Sequence, residues 1–148
     1  MKTEILYGIH PVYEVLASRR RNIHEIYLQK DNKPRRLDRL ASLATHRGIR
    51  VKTVGSGDLK ALVGVTGHQG AAARVDPFPL TVASDILAAS EAKGGTHFLL
   101  MLDNVLDPQN LGAIIRTALC VCIDGVIMPK DHSAPLTPAV SKASAGAL

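Results

Sequence analysis

Residues Leu102 to Ala118 read Leu-Asp-Asn-Val-Leu-Asp-Pro-Gln-Asn-Leu-Gly-Ala-Ile-Ile-Arg-Thr-Ala (LDNVLDPQNLGAIIRTA), and the fold class turns on them. The run leading in, His97-Phe98-Leu99-Leu100-Met101-Leu102, is apolar almost without interruption, as strands covered on both faces of a parallel sheet are. Asp107 followed by Pro108 is a strong helix start: the carboxylate accepts from free N–H groups, and proline suits the first helical position. Beyond the helix, Asp124-Gly125-Val126-Ile127-Met128 reads as a second buried strand, and a further helix is expected from Thr137-Pro138 into Ser141 to Leu148. Strand, helix, strand, helix is the α/β pattern.

Between Asp107 and Asp124 the only charged residue is Arg116. Leu111, Ala113, Ile114, Ile115, Ala118 and Leu119 cover nearly the whole circumference of its helix, so the spacing predicts a buried helix. A guanidinium there is costly unless it is paired or lies in a crevice or interface, which makes Arg116 a candidate functional residue. The plainer alternative is an arginine at the helix edge that pairs with a carboxylate such as Asp103 or reaches water. Asn110 falls in the first turn, just beyond the C-terminal end of a parallel strand, where open α/β sheets place their ligands. Its alternative is a turn residue that satisfies local backbone groups. Six positions separate the two, about 9 Å along an ideal helix and about 120° around it, so they need not enter one pocket from one subunit.

Working outward, the first half shows three helix and strand alternations set off by turn residues. Pro11 to Leu16 has helical spacing, Ile23 to Leu28 alternates like a half-buried strand, and Pro34 to His46 is an amphipathic helix with Gly48 at its expected C-cap. Ile49 to Val54 is the next strand, Leu59 to Val63 a short helix, and Gly67-His68-Gln69-Gly70 turns into a strand over Ala71 to Val75. Asp76-Pro77-Phe78-Pro79 then interrupts the pattern, because alternate prolines favour an extended connector. The expected organisation is a first domain over 1–76, a linker over 77–95 with a short helix capped by Ser84 and ended by Gly94-Gly95, and a second domain over 96–148.

The formal charge of +5 is unevenly spread. Residues 1–76 hold 14 Lys and Arg against 7 Asp and Glu, whereas residues 77–148 hold 4 against 6. The first half is therefore the part expected to meet a polyanion, with Arg19, Arg20 and Arg21 in one cluster and Lys33, Arg35, Arg36 and Arg39 in another. A solvated basic surface is the bland alternative. With 3 Tyr, 2 Phe and no Trp, base stacking is a poor main source of affinity.

The composition, 46% hydrophobic and 21% charged, is that of a globular protein and excludes disorder throughout. No run of eighteen apolar residues and no secretory start is present, so the expectation is a cytoplasmic protein without membrane association. Cys120 and Cys122 are too few for a disulfide framework, and no histidine pair beside them has ligand spacing. They are expected to be reduced core residues, with no metal bound.

The stretch from Leu102 to Ala118 resembles the first signature motif of the SpoU (TrmH-like) branch of the SPOUT methyltransferases. Asp103, Asp107, Pro108, Asn110, Leu111, Gly112, Arg116 and Ala118 stand where that motif has them. Pro129-Lys130-Asp131 and Ser141 to Gly146 look like the family's continuation. Tyr7-Gly8-Ile9-His10-Pro11, and His68-Gln69-Gly70 leading into Ala73-Arg74-Val75, are similar to the family's substrate-binding domain, which is folded like a small RNA-binding ribosomal protein. The resemblance is closest to enzymes that methylate a guanosine ribose of large-subunit rRNA. It implies an RNA partner, S-adenosylmethionine as methyl donor and a homodimer whose active sites take residues from both chains. It also implies an active-site role for Asn110 and action of Arg116 on the target ribose. A guanidinium almost never deprotonates, so Arg116 fits a stabiliser of the developing alkoxide or a phosphate clamp better than a base.

In the family the donor is held by a knotted C-terminal half with a glutamate motif and a late Ser/Asn-rich motif. Neither is found in these residues, nor is a GxGxxG after a strand. The expectation is that the chain is the N-terminal portion of such an enzyme, ends inside the catalytic domain and alone does not bind S-adenosylmethionine at useful affinity. The competing expectation is a non-catalytic RNA-binding protein.

Overall fold

The computed structural model describes residues 2–30, 35–91 and 96–148. The chain divides into two compact units, Met1–Phe78 and Pro79–Leu148.

In the first unit, β1 (Glu4–Tyr7), α1 (Ile9–Ser18), β2 (Ile23–Gln29), α2 (Arg35–His46), β3 (Val51–Val54), α3 (Ser56–Val63) and β4 (Ala71–Val75) follow in order. The sheet order is β1-β4-β2-β3, with β2 and β3 parallel and β4 antiparallel to both its neighbours. Strand β1 was not anticipated; four residues are too short for their alternation to stand out. The central strand β4 is Ala-Ala-Ala-Arg-Val because it is covered on both faces and only small side chains fit. Ala71, Ala73 and Val75 face the α1 and α2 layer, with Val12, Leu16, Leu37 and Leu40 and with Ile26 of β2, while Ala72 packs with Leu59 of α3 and Tyr27 of β2.

Local signals explain the element ends. Gly8, at φ 101, lets the chain turn into α1, whose first N–H, on Ile9, donates to the Gln69 side chain at 3.0 Å. Gly48, at φ 66, ends α2 in a Schellman arrangement, with Gly48 N donating to Thr45 O and Ile49 N to Ala44 O. The start of that helix expected at Pro34 lies outside the described residues.

In the second unit, α4 (Ala83–Glu91), β5 (Leu99–Met101), α5 (Pro108–Cys120), β6 (Gly125–Ile127) and α6 (Pro138–Ala143) build on a parallel β5–β6 pair. Ser84 lies inside α4 and is not its cap; the Thr81 hydroxyl instead bonds the Asp85 carboxylate at 2.9 Å. The end expected at Gly94-Gly95 lies outside the described residues. The core gathers Leu102, Leu111, Ile115, Ala134 and Val140.

Two expectations for this unit are corrected. Strand β5 is not covered on both faces: Met101, its last residue, is 75% exposed, and Phe98, just before it, is 55% exposed. Nor are the cysteines core residues. Both are exposed, because α5 ends at Cys120 and Cys122 takes the left-handed C-cap conformation, φ 56, that turns the chain toward β6. No helix among the described residues is long and apolar enough to cross a membrane.

Candidate active site and basic surface

Helix α5 begins as the sequence predicts. Asp107 has extended backbone, its carboxylate accepts from Asn110 N at 2.9 Å, and Pro108 follows in the first turn. The helix buries Leu111, Gly112, Ile115 and Ala118. Gly112 marks its crossing with α6: a Cβ there would lie 2.4 Å from that of Ala143 and 2.8 Å from Ser144 N. The glycine is a packing requirement, because no side chain fits between the two backbones.

Arg116 is exposed, which corrects the expectation of a buried guanidinium. The helix has apolar residues on every side but is covered on one, so Arg116, Thr117, Leu119 and Cys120 face outward. Arg116 has no ion pair among the described residues and does not engage Asp103. Asn110 is exposed too, and lines a shallow cleft of about 430 Å³ with Asn104, Val105, Leu106, Ala113 and Ile114. Arg116 is not part of that lining, in keeping with the spacing of about 120° around the helix. Within one chain the two residues stand on different faces.

A second cavity, about 530 Å³, lies past the C-terminal end of β6, lined by Leu80, Ile86, Met128, Pro129, Ala134 and Leu136 among others. Its polar lining is limited to Thr81, Lys130 and Ser133, whose hydroxyl is buried without a partner.

In the first unit the basic residues sort by the fold. Arg39 bonds and stacks on Tyr13, with 3.3 Å to the hydroxyl and 5.1 Å to the ring centroid, and Arg47 donates to Leu16 O. Helices α1 and α2 therefore run side by side in the same direction. Arg19 and Arg20 are exposed at the C-terminal end of α1, the same end as Arg47, while Arg35 and Arg36 are exposed on the first turn of α2 at the opposite end, about 16 Å away. Cations at a helix N-terminus oppose its dipole, so Arg35 and Arg36 are not there to stabilise α2. Lys33 lies outside the described residues.

Arg21 does not belong to this surface. It is 7% exposed, donates to Glu4 and, at 2.8 Å, to Asp76 O, and lies over the Phe78 ring. Its position after the turn of Arg19, φ 57, points it inward, away from any external phosphate. Asp76 completes the cluster: His24 Nε2 and Asn22 Nδ2 each reach its carboxylate at 2.7 Å, and these bonds hold its pKa below the ordinary value. A polar group on the sheet escaped the sequence reading. Glu25 is bridged by Arg50 at 3.3 Å and Lys52 at 3.0 Å, and Arg74 reaches the Tyr27 hydroxyl. Hydrogen bonds from Tyr27 and then Lys52 hold the Glu25 pKa low. Residues this far apart in the chain meet only through strand register.

Fold and site together define a two-domain α/β protein: a small basic unit followed by a parallel-strand unit whose first strand leads into an Asp-Pro-capped helix with one arginine. The chain belongs to the SpoU family of RNA 2′-O-ribose methyltransferases. It matches the family's substrate-binding description (RNA 2′-O ribose methyltransferase substrate binding) over residues 5–81 and the SpoU rRNA methylase family over 97–148. It is 37% identical over 145 residues to the 23S rRNA (guanosine-2′-O-)-methyltransferase RlmB of Acinetobacter baylyi, covering 98% of this chain and 58% of that protein. Its fold is similar to an AdoMet-bound rRNA methyltransferase from Sinorhizobium meliloti, with a TM-score of 0.68, 19% identity, and coverage of 98% of this chain and 51% of that one. The SpoU methyltransferase AviRb from Streptomyces viridochromogenes, in complex with AdoMet, matches with a TM-score of 0.68, 18% identity, and coverage of 97% and 51%. The chain thus spans between half and three fifths of the relatives it matches.

Proposed function

We propose that this chain supplies the RNA-recognition unit and the ribose-handling helix of an enzyme that methylates a ribose 2′-hydroxyl, of a guanosine in large-subunit rRNA, with S-adenosylmethionine as donor. The single observation behind it is an Arg116 that is exposed, and without an ion pair among the described residues, on a capped helix that follows a parallel strand, in a chain of this family. Residues 1–76 act as the RNA-binding domain, with Arg19, Arg20, Arg35, Arg36 and Arg39 as phosphate contacts, and residues 96–148 as part of the methyltransferase domain. Asn110 arranges the reacting groups; Arg116 neutralises charge developing on the 2′-oxygen or grips the adjacent phosphate. Because the two residues face different ways, Arg116 serves the site of a second copy, and the working enzyme is a homodimer.

The test is methyl transfer into an rRNA fragment by the enzyme carrying Arg116→Ala or Arg116→Lys. Both are expected to lose about 100-fold or more, since lysine lacks the planar fork. Normal rates from Arg116→Ala reject the mechanism. The second reading, a non-catalytic RNA-binding protein, is favoured by the concentration of basic residues in 1–76; it is the correct one if RNA binds tightly and no methyl transfer is measurable.

A further inference from the structure

We propose that the cleft walled by Asn104 and Asn110 holds a nucleobase by its hydrogen-bonding edge, with Asn104 as the residue that reads it; this deepens the reading of α5 as the ribose-handling helix. Asn104 sits directly after β5 at φ 56, a left-handed conformation that asparagine tolerates better than most residues. Its surroundings are fixed on three sides. Leu102 N donates to Ile127 O at 2.8 Å, Ala134 N to Val105 O at 2.8 Å, and Asn110 N to the Asp107 carboxylate at 2.9 Å. Two carboxamides thus line one cleft from a pinned backbone, and neither side chain has a hydrogen-bond partner among the described residues.

The rest of the lining selects the ligand. Val105, Ala113 and Ile114 are apolar, and so is Leu106, which is 65% exposed. Among the described residues no charged side chain lines the cleft, so no side chain there selects a phosphate or an ammonium. A carboxamide sets one donor and one acceptor side by side in a plane, the complement of a base edge. Such an edge belongs to a nucleobase, and under the proposed function it has two sources: the guanine of a target nucleotide or the adenine of a methyl donor.

The experiment is a ¹⁵N–¹H titration of the 148-residue chain, following the side-chain NH₂ signals of Asn104 and Asn110 with guanosine 5′-monophosphate, adenosine 5′-monophosphate and ribose 5-phosphate. One nucleotide is expected to shift both signals saturably while ribose 5-phosphate does not. A guanosine response assigns the cleft to the target nucleotide, an adenosine response to the donor. Asn104→Gly keeps the left-handed backbone and deletes the amide, and Asn104→Asp keeps the shape and removes the donor; each is expected to weaken binding about tenfold, the worth of one paired contact. The proposal is overturned if neither nucleotide shifts the two signals, if ribose 5-phosphate shifts them equally, or if both variants bind as well as the parent. RNA binding that depends on Arg19 and Arg20 is measured on the same samples. Its persistence without base binding sinks this inference alone, and its absence sinks the RNA reading as well.

Discussion

Arg19, Arg20 and Arg21 are consecutive in sequence and opposite in role. Two face solvent; the third is buried against Glu4, Asp76 and Phe78. Arg21→Ala deprives the partly exposed Glu4 carboxylate and the Asp76 carbonyl of their buried partner and is expected to cost about 2 kcal/mol in denaturant unfolding. The double variant Arg19→Ala, Arg20→Ala should leave stability within about 0.5 kcal/mol and lower the salt slope of RNA binding by about 1.5 to 2. Equal stability losses in the two cases contradict this division. Asp76 carries the pH dependence. Its folded pKa is depressed, chiefly by the His24 bond and then by Asn22, so its stabilisation is present above the unfolded value near 4 and lost as pH falls through the folded one. Thermal melts between about pH 2 and pH 5 should therefore fall less steeply in Asp76→Asn than in the parent. Identical slopes show that the bonds of Asp76 do not persist in solution.

At the scale of elements, α5 is defined by its cap and by what it touches. Its N-terminus was legible from Asp107-Pro108 because capping is local chemistry between neighbours. Its burial was not, because which side of an apolar helix is covered depends on α6 and β5. Gly112→Ala is expected to destabilise the unit by about 1 to 3 kcal/mol, since the added methyl meets Ala143 and the backbone at Ser144 and neither can rotate away. Calorimetry checks this, and an unchanged melting temperature means that the two helices are not in contact. The same logic separates β4 from β5. Both are rich in apolar residues, but β4 has neighbours on both edges and helices on both faces, whereas β5 leaves Phe98 and Met101 in solvent.

For the whole molecule, charge and apolar surface divide between the two units. The first presents arginines at both ends of its paired helices. The second presents Leu80, Phe98, Met101, Leu106, Leu119 and Val121 to solvent on a two-stranded sheet and its helices. A short two-stranded sheet with exposed edges and large apolar side chains is prone to associate. Light scattering of the 148-residue chain is expected to show concentration-dependent association, reduced by Phe98→Ser with Met101→Ser. A monodisperse monomer at high concentration rules this out.

The sequence by itself determined the α/β class, most element positions, the basic character of the first half and the family, because capping, periodicity, charge and motif spacing are properties of residues close together in the chain. Which arginine is buried, that Arg116 is exposed, that Gly112 is a contact point and that Asn104 shares a cleft with Asn110 were decided only by tertiary structure. The reason is physical: coverage of a face and the meeting of side chains depend on elements distant in sequence, and no local pattern records which of several apolar sides a neighbour will occupy.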